Sequence, residues 1–160
     1  MSGCIVCGVD DTPGALAAAK VAAELAERLG AELVVAHVAS LLVIPGASAV
    51  PNARRELREL EREEAARLVA RIVDEAGCGD VEERVELGDP AERLVELADE
   101  YRATMLVVGS GGRGPLKEMI LGSVSHRLCR EAHCPVLVVP PAAAVSVIEP
   151  EAFAGARESR

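Results

Sequence analysis

Residues 105–125 read MLVVGSGGRGPLKEMILGSVS, and this stretch decides the fold. It opens on Met105-Leu106-Val107-Val108, a short apolar run typical of a buried strand. Four glycines within the next six residues favour a loop. A helix is then predicted to begin near Ser123. A strand, a glycine-rich loop and a helix in this order indicate one unit of a parallel α/β sheet.

The same alternation recurs along the rest of the chain. It predicts strands within residues 4–9, 33–38, 81–87, 105–108 and 135–139. Helices are predicted between them, which gives an α/β fold with an open, doubly wound, five-stranded parallel sheet of the Rossmann-like class. The predicted domain spans residues 1–140, and residues 141–160 form a C-terminal tail outside the pattern.

Local signals place the helix ends and buried faces. Thr12 suits an N-cap before Pro13, and Gly30 suits the position after a helix. Asp89-Pro90-Ala91-Glu92 resembles a capping box. Strand 81–87 alternates apolar and charged residues, which predicts a sheet edge. The predicted buried faces are Ala18, Val21, Ala22, Leu25 and Leu29 on the first helix, and Leu57, Leu60, Leu68 and Ile72 on the second.

Composition excludes several classes of protein. The 160 residues include 26 acidic and 17 basic side chains, a net charge of −9, and only Tyr101 and Phe153 are aromatic. Nucleic-acid binding is therefore not expected, because it needs a basic surface or aromatic stacking platforms. No segment is long and apolar enough to predict a membrane span. Five cysteines and no export signal predict a cytoplasmic protein with reduced thiols.

Two segments are candidates for a ligand site at the carboxyl edge of the sheet. In such sheets a ligand binds where the strand order reverses. Val9-Asp10 ends strand one, and the glycine loop follows strand four. The loop glycines and the helix start at Gly122-Ser123-Val124-Ser125 both favour an anion, because their backbone N–H groups can point toward it. Two such elements after one strand predict a polyphosphate ligand.

Two short motifs compete for the glycine loop. Gly109-x-Gly111-x-x-Gly114 matches the dinucleotide fingerprint as a string, but Pro115 interrupts the helix that should follow it. A P-loop requires Lys followed by Ser or Thr, and Lys117 has no such neighbour. Both interpretations are disfavoured.

A longer motif, Gly109-x2-Gly112-x9-Gly122-Ser123, resembles the ATP-binding branch of the universal stress protein family. The resemblance covers about residues 4–140, including His37-Val38 and the closing strand Pro135–Val139. It implies a fold similar to the adenine-nucleotide α-hydrolases, with strand order 3-2-1-4-5. Strands one and four then lie side by side, so the two candidate segments meet.

The resemblance also implies roles for individual residues. Asp10, with Val9 beside it, would contact the nucleoside, and the backbone of Val38 would contact the adenine. The phosphates and ribose would be held by Gly109, Gly112, Gly122, Ser123 and Ser125, with Ser110, Arg113 and Val124 alongside. The chain departs from the family at Gly8, where many members have a side chain, and this bears on the shape of the adenine pocket.

The expected function is that of a nucleotide-dependent sensor or regulator that binds ATP with Mg²⁺ or Mn²⁺ on the phosphates. At most, weak ATPase activity or autophosphorylation is expected, because no general base is evident. Two alternatives stay open: an enzyme that cleaves or transfers from ATP, and a nucleotide-free interaction module. Strand 136–139 is an uncharged edge, which predicts a homodimer through this strand.

Several residues have a structural explanation as well as a functional one. Asp10 could cap the first helix, and His37 could be a hydrogen-bonded, half-buried side chain rather than a ligand contact. Cys4 and Cys7 should lie on opposite faces of a strand, which favours core packing over a redox pair. Cys129 and His133 are one helical turn apart but lack a second pair of metal ligands.

Overall fold

The computed structural model describes residues 3–40, 51–111 and 121–141, without the side chains of Pro51 and Ala53. Strands and helices alternate throughout these ranges. The strands are β1 (Cys4–Gly8), β2 (Glu32–Ala39), β3 (Glu82–Leu87), β4 (Met105–Gly109) and β5 (Val136–Val139). The helices are α1 (Pro13–Leu29), α2 (Pro51–Ala76), α3 (Pro90–Glu100) and α4 (Ser123–Glu131).

The described strands form one parallel sheet in the order β3-β2-β1-β4-β5. The fold class and the strand order expected from the sequence are therefore confirmed. The order reverses between β1 and β4, whose residues pair from Ile5–Met105 to Gly8–Val108. The carboxyl ends of these two strands consequently lie next to each other, as the sequence motifs required.

Helices cover both faces of the sheet and create two apolar cores. Residues at alternate positions of β1 separate cleanly: Ile5 and Cys7 pack with α1 and α2, whereas Cys4 and Val6 pack with α3 and α4. The prediction that Cys4 and Cys7 lie on opposite faces is confirmed. Burial raises the pKa of the Cys7 thiol far above its usual range, which makes this thiol an inert core residue.

Helix α1 begins and ends where the sequence predicted. Thr12 is the N-cap, and Gly30 closes the helix with φ of 60°. The predicted buried face is wrong at Leu29, which is 63% exposed. Alanines form most of the buried face instead, because small side chains let the helix lie close to the sheet: Ala15, Ala17, Ala18, Ala19, Ala22 and Ala26.

The predicted apolar stripe of α2 is also partly wrong. Ile72 is buried, but Leu60 is 55% exposed and Leu57 is only half-buried. The buried positions are Ala65, Val69 and Ile72, so only the second half of the helix packs against the core. The reason is length, because α2 has 26 residues and is longer than the strands that it covers.

The remaining boundaries follow local chemistry. The Asp89 carboxylate accepts a hydrogen bond from the Glu92 N–H at 3.0 Å, which confirms the predicted cap of α3. Strand β3 is an edge strand, as its alternation predicted, and Arg84 bonds to Glu86 and the Tyr101 hydroxyl on its polar side.

Within the described ranges, no helix is both long and apolar enough to cross a membrane.

Candidate functional site

A cavity of about 280 Å³ lies at the carboxyl ends of β1, β2 and β4. This is the point at which the strand order reverses, where ligands of doubly wound sheets bind. Helices α3 and α4 contribute the other wall through Pro90, Leu94 and Val124. The volume is close to the lower end of the range for small-molecule sites, about 300–1,000 Å³.

The glycine loop and helix α4 are joined by short backbone contacts. The Gly122 N–H donates to the Ser110 carbonyl oxygen at 2.7 Å. Gly111 has φ of 71°, and a Cβ on Gly122 would lie 3.2 Å from the Gly111 Cα. The positive φ favours glycine at position 111, and a side chain at position 122 would require its neighbours to move by a few tenths of an ångström. The two halves of the spaced motif therefore meet at one place.

The first turn of α4 faces the cavity with uncapped backbone N–H groups. Gly122 is the N-cap residue and supplies no side-chain hydrogen bond, whereas Ser123, Val124 and Ser125 line the cavity. The first N–H groups of a helix lack partners within the helix, and the dipole adds positive potential at this end. This end of the cavity therefore suits an anion without a Lys or Arg side chain.

The hydroxyl of Ser125 forms hydrogen bonds within the protein. Ser125 is 2% exposed, and its Oγ contacts the carbonyl oxygens of Ser110 and Gly122 at 3.1 and 3.0 Å. A hydroxyl has only one proton to donate, so these two acceptors share it. Ser125 thus ties α4 to the loop, whereas the hydroxyl of the exposed Ser123 has no partner among the described residues.

Asp10 lies at the rim of the cavity, and Thr12 fixes its orientation. The Asp10 Oδ1 accepts hydrogen bonds from the Thr12 N–H at 2.9 Å and from the Thr12 hydroxyl at 2.5 Å. Thr12 therefore directs its hydroxyl toward Asp10 instead of capping α1. The second carboxylate oxygen, Oδ2, has no hydrogen-bond partner in the described ranges and remains available to a ligand.

The opposite end of the cavity is apolar. It is lined by Ala36, Val38, Leu94 and Val108. Gly8 belongs to this wall, and a Cβ at Gly8 would lie 2.7 Å from the Leu94 Cδ1. Leu94 therefore occupies the space that a side chain at position 8 would take. At Gly8, the position where the chain departs from the family pattern, Leu94 fills the space of the missing side chain.

His37 lines the cavity and has a defined hydrogen bond there. Its Nδ1 lies 2.7 Å from the Val9 carbonyl oxygen. Because a carbonyl oxygen only accepts, Nδ1 carries the proton. The alternation of β2 places this side chain on the face of α1 and α2, opposite Ala36 and Val38. The imidazole thus fixes the end of β1 to β2.

An ion pair next to the cavity holds α4 against α3. The Arg127 Nη1 donates to both carboxylate oxygens of Asp89 at 2.8 and 2.9 Å. The Glu92 backbone N–H and Arg127 together hold the pKa of the Asp89 carboxyl below its usual range. Asp89 thereby caps α3 and positions the helix whose first turn faces the cavity.

The structure brings most of the sequence-predicted site residues together. Ser110 is buried beneath the cavity, where its carbonyl oxygen accepts bonds from Gly122 and Ser125. Gly112 and Arg113 lie outside the described residues. The predicted residues that line the cavity are Val9, Asp10, Val38, Gly109, Gly122, Ser123, Val124 and Ser125.

Sequence reasoning missed the contributions of other segments. Gly111 lies between the predicted site residues Ser110 and Gly112, and Thr12 lies two positions after Asp10, so proximity in the sequence was a usable signal. Pro90 was assigned only to the start of α3, and no local signal marks Pro90 or Leu94 as a site residue. Packing alone brings α3 to the cavity. Gly8, Ala36 and Val108 line it because they end buried strands.

The other candidate cluster shows no metal site in the described part of the chain. No group of three or more His, Cys, Asp or Glu side chains there could hold an ion. His133 Nδ1 instead lies 3.0 Å from both carboxylate oxygens of Asp99, and Cys129 is exposed.

Comparisons with known proteins point to one family. The sequence pattern of the universal stress protein family matches residues 1–140. Universal stress protein MJ0531 of Methanocaldococcus jannaschii is 35% identical over 137 residues, 84% of this chain and 80% of that protein. A solved structure of hypothetical protein MJ0577 has a TM-score of 0.72 at 27% identity, covering 88% of this chain and 96% of that one. A universal stress protein crystallised in complex with cAMP has a TM-score of 0.59 at 31% identity, covering 88% and 98%.

Proposed function

The chain belongs to the universal stress protein family, and we propose that it is a nucleotide-dependent sensor or regulator that binds ATP. The main support is the cavity at the switch point, which joins an apolar end to the uncapped first turn of α4. This combination suits a ligand with an aromatic base and an anionic group. The cAMP complex of a 31% identical relative supports an adenine nucleotide.

In the proposed arrangement the base lies at the apolar end, near Val38 and Leu94. Asp10, oriented by Thr12, accepts a hydrogen bond from a hydroxyl of the ribose through its Oδ2. The phosphates lie against Gly109 and the first turn of α4, where Ser123 donates its hydroxyl. Gly112 and Arg113 are proposed to extend this phosphate site.

A divalent cation, Mg²⁺ or Mn²⁺, is proposed to accompany the phosphates. The described residues that line the cavity include no Lys or Arg, and Asp10 adds negative charge. A triphosphate next to this carboxylate therefore needs a counterion. The phosphate oxygens would supply ligands to this ion.

We favour binding over turnover. Asp10 is the only carboxylate among the described residues that line the cavity, and in the proposed arrangement its free oxygen, Oδ2, accepts from the ribose. The imidazole of His37 also lines the cavity, and its Nδ1 is bonded to the Val9 carbonyl oxygen. A general base must instead accept a proton from the attacking water. Occupancy is proposed to change what the protein associates with, in the cytoplasm and through the domain of residues 1–140. The tail of residues 141–160 has no proposed role.

Association through β5 is a further part of the proposal. This edge strand has an uncharged sequence, and its first three residues are half-buried. An uncharged edge is open to pairing with a second strand. We propose a homodimer in which β5 pairs with its copy.

A thermal-shift titration with ATP tests the nucleotide site. Ligand at 100 times its Kd stabilises by about 2.7 kcal/mol. For a chain of this size that corresponds to a Tm increase of roughly 5–11 °C. The titration is run with and without Mg²⁺, and with AMP, cAMP and GTP as competitors. Gly122→Val is the site variant, because its Cβ would lie 3.1 Å from the Ser110 carbonyl oxygen.

The expected result is a shift for the wild type that Mg²⁺ increases and that Gly122→Val loses. Gly30→Asn serves as the control, since it alters a glycine at a helix end remote from the cavity and Asn tolerates a positive φ. No shift with any nucleotide would overturn the proposal. Multiple turnovers of MgATP would instead favour the enzyme alternative.

A further inference from the structure

An ion pair at the rim of the cavity joins helices α3 and α4. Arg127 follows the cavity-lining Ser123 by one helical turn, and Asp89 directly precedes the cavity-lining Pro90. The Arg127 Nη1 donates to both carboxylate oxygens of Asp89, at 2.8 and 2.9 Å. These two residues, here called the rim pair, therefore lie between the two helix starts that border the cavity.

The rim pair belongs to a cluster with a net negative charge. Besides its bonds to Asp89, Arg127 donates to the Glu131 carboxylate through Nε at 3.3 Å and through Nη2 at 3.2 Å. One positive charge thus meets two negative charges. The side chains of the three residues are 41–44% exposed, so their charges act partly through solvent and are screened by salt.

The two helices differ in what occupies their first N–H groups. In α3 the Asp89 carboxylate accepts a hydrogen bond from the Glu92 N–H at 3.0 Å. The first turn of α4 has no such side-chain cap, because its N-cap residue is Gly122. An anionic group of a ligand is therefore expected at α4, where Asp89 would repel it and Arg127 would attract it.

The position of the first turn of α4 does not depend on the rim pair alone. The Gly122 N–H donates to the Ser110 carbonyl oxygen at 2.7 Å, and the Ser125 Oγ contacts the same oxygen at 3.1 Å. Burial of Ser125 and Leu128 also holds the helix. A change of charge in the rim pair should therefore alter the electrostatic potential at the first turn more than its position.

The charge of the cavity lining gives this potential its importance. The described residues that line the cavity include no Lys or Arg, and Asp10 carries a negative charge. Arg127 lies just behind this lining and supplies a positive charge that the lining lacks. The carboxylate of Asp89 offsets that charge and holds the guanidinium at the rim.

We propose that the rim pair sets how strongly the cavity prefers a phosphorylated nucleoside over an unphosphorylated one. Arg127 strengthens binding of the phosphate groups, and Asp89 weakens it. The two residues are thus specificity determinants of opposite sign that act through the potential at the first turn of α4. This inference rests on the proposed nucleotide site and adds a determinant of its selectivity.

Isothermal titration calorimetry with ATP and with adenosine, at a fixed excess of Mg²⁺, tests the proposal. The ratio of the two Kd values reports on the phosphate groups, because both ligands share the base and the ribose. Arg127→Gln should lower the preference for ATP roughly threefold to tenfold, and Asp89→Asn should raise it by a similar factor. Asparagine keeps the cap of α3. The double variant should return close to the wild-type ratio, and Arg127→Lys should retain most of it.

Arg102→Gln and Asp99→Asn are the controls, because they make the same changes of charge at the far end of α3. Asp99 lies roughly 15 Å along the helix from Asp89 at about 1.5 Å per residue, and Arg102 follows the helix. Each control should change the ratio less than about twofold. At about 0.5 M salt the shifts of the rim variants should also shrink.

A change of the ratio in the same direction in Arg127→Gln and Asp89→Asn would overturn the proposal, because it would indicate a displaced helix rather than an altered potential. Shifts no larger than those of the controls would overturn it as well. Both results leave the nucleotide site itself intact. A wild type that binds neither ATP nor adenosine would instead overturn the proposed function, and this inference with it. Circular dichroism verifies that the variants fold, as expected for partly exposed side chains.

Discussion

Gly109 and Gly14 touch backbone to backbone where β4 ends against the first turn of α1. A Cβ on Gly109 would lie 2.8 Å from the Gly14 carbonyl carbon and 2.9 Å from its oxygen. A Cβ on Gly14 would meet its nearest atom, the Gly109 Cα, only at 3.6 Å. The requirement for glycine is therefore strong at position 109 and weak at position 14.

This asymmetry predicts opposite effects of the same substitution. Gly109→Ala should destabilise by about 1–3 kcal/mol, because the backbone of α1 must move. Gly14→Ala should be neutral or stabilise by about 0.4–1 kcal/mol, because alanine restricts the unfolded chain. Urea denaturation measures both. Equal effects of the two substitutions would contradict the asymmetric contact between Gly109 and Gly14.

Gly8 and Leu94 should be energetically coupled. Leu94→Ala should cost about 2–5 kcal/mol, since the side chain is buried. Gly8→Ala introduces a Cβ 2.7 Å from the Leu94 Cδ1 and forces that side chain to move. In the double variant the new methyl group has room and fills part of the cavity left by leucine. A double-mutant cycle should give a favourable coupling of about 1 kcal/mol, and additive effects would contradict the contact.

Asp89 predicts a specific dependence of stability on pH. Its pKa is lowered in the folded protein, first by the Glu92 N–H and then by Arg127. Its charge therefore stabilises the fold above the unfolded-state pKa of about 3.9, and this contribution disappears as pH falls through the lower folded-state value.

Asp89→Asn isolates that charge, because asparagine is an equally good N-cap. The wild type should be more stable than this variant at neutral pH, and the difference should vanish in acid. Urea unfolding at several pH values measures it. Asp80→Asn, which removes a loop carboxylate without a partner in the described ranges, is the control. A constant difference across pH would contradict the assignment.

Strand β5 offers a selective test of the proposed dimer. Pro135 and Val139 direct their carbonyl oxygens to β4, so Val138 directs its N–H outward. Val138→Pro removes this outward donor and spares the β4 ladder. Val138→Thr keeps the donor and the branched shape. Analytical ultracentrifugation should find a dimer for the wild type and Val138→Thr, and a monomer for Val138→Pro. A monomeric wild type at micromolar concentration would contradict the proposal.

The cysteines should differ sharply in reactivity. Cys129 is exposed, whereas Cys4 and Cys7 are buried and their pKa values are raised by burial. A thiol reagent should modify Cys129 rapidly in the native protein and modify Cys4 and Cys7 only after unfolding. Cys129→Ser should remove the fast phase. Fast modification of Cys7 in the folded state would contradict its place in the core.

Much of the fold was predictable because it depends on local patterns. Alternating periodicities identify strands and helices, and Gly30 and Asp89 mark helix ends through backbone chemistry that acts within a few residues. Predictions of buried faces were less successful at Leu29 and Leu60. Periodicity shows which residues share a face, but it does not show how far a helix extends past the sheet.

The sequence by itself determined the fold class, the family and the residues at the ends of β1 and β4, because these depend on motifs in the chain, and the strand order followed from the family resemblance. Tertiary structure alone decided that Leu94 fills the space beside Gly8, that Thr12 orients Asp10, and that Arg127 holds α4 against Asp89. These contacts join residues through packing of separate elements or through the choice of rotamer.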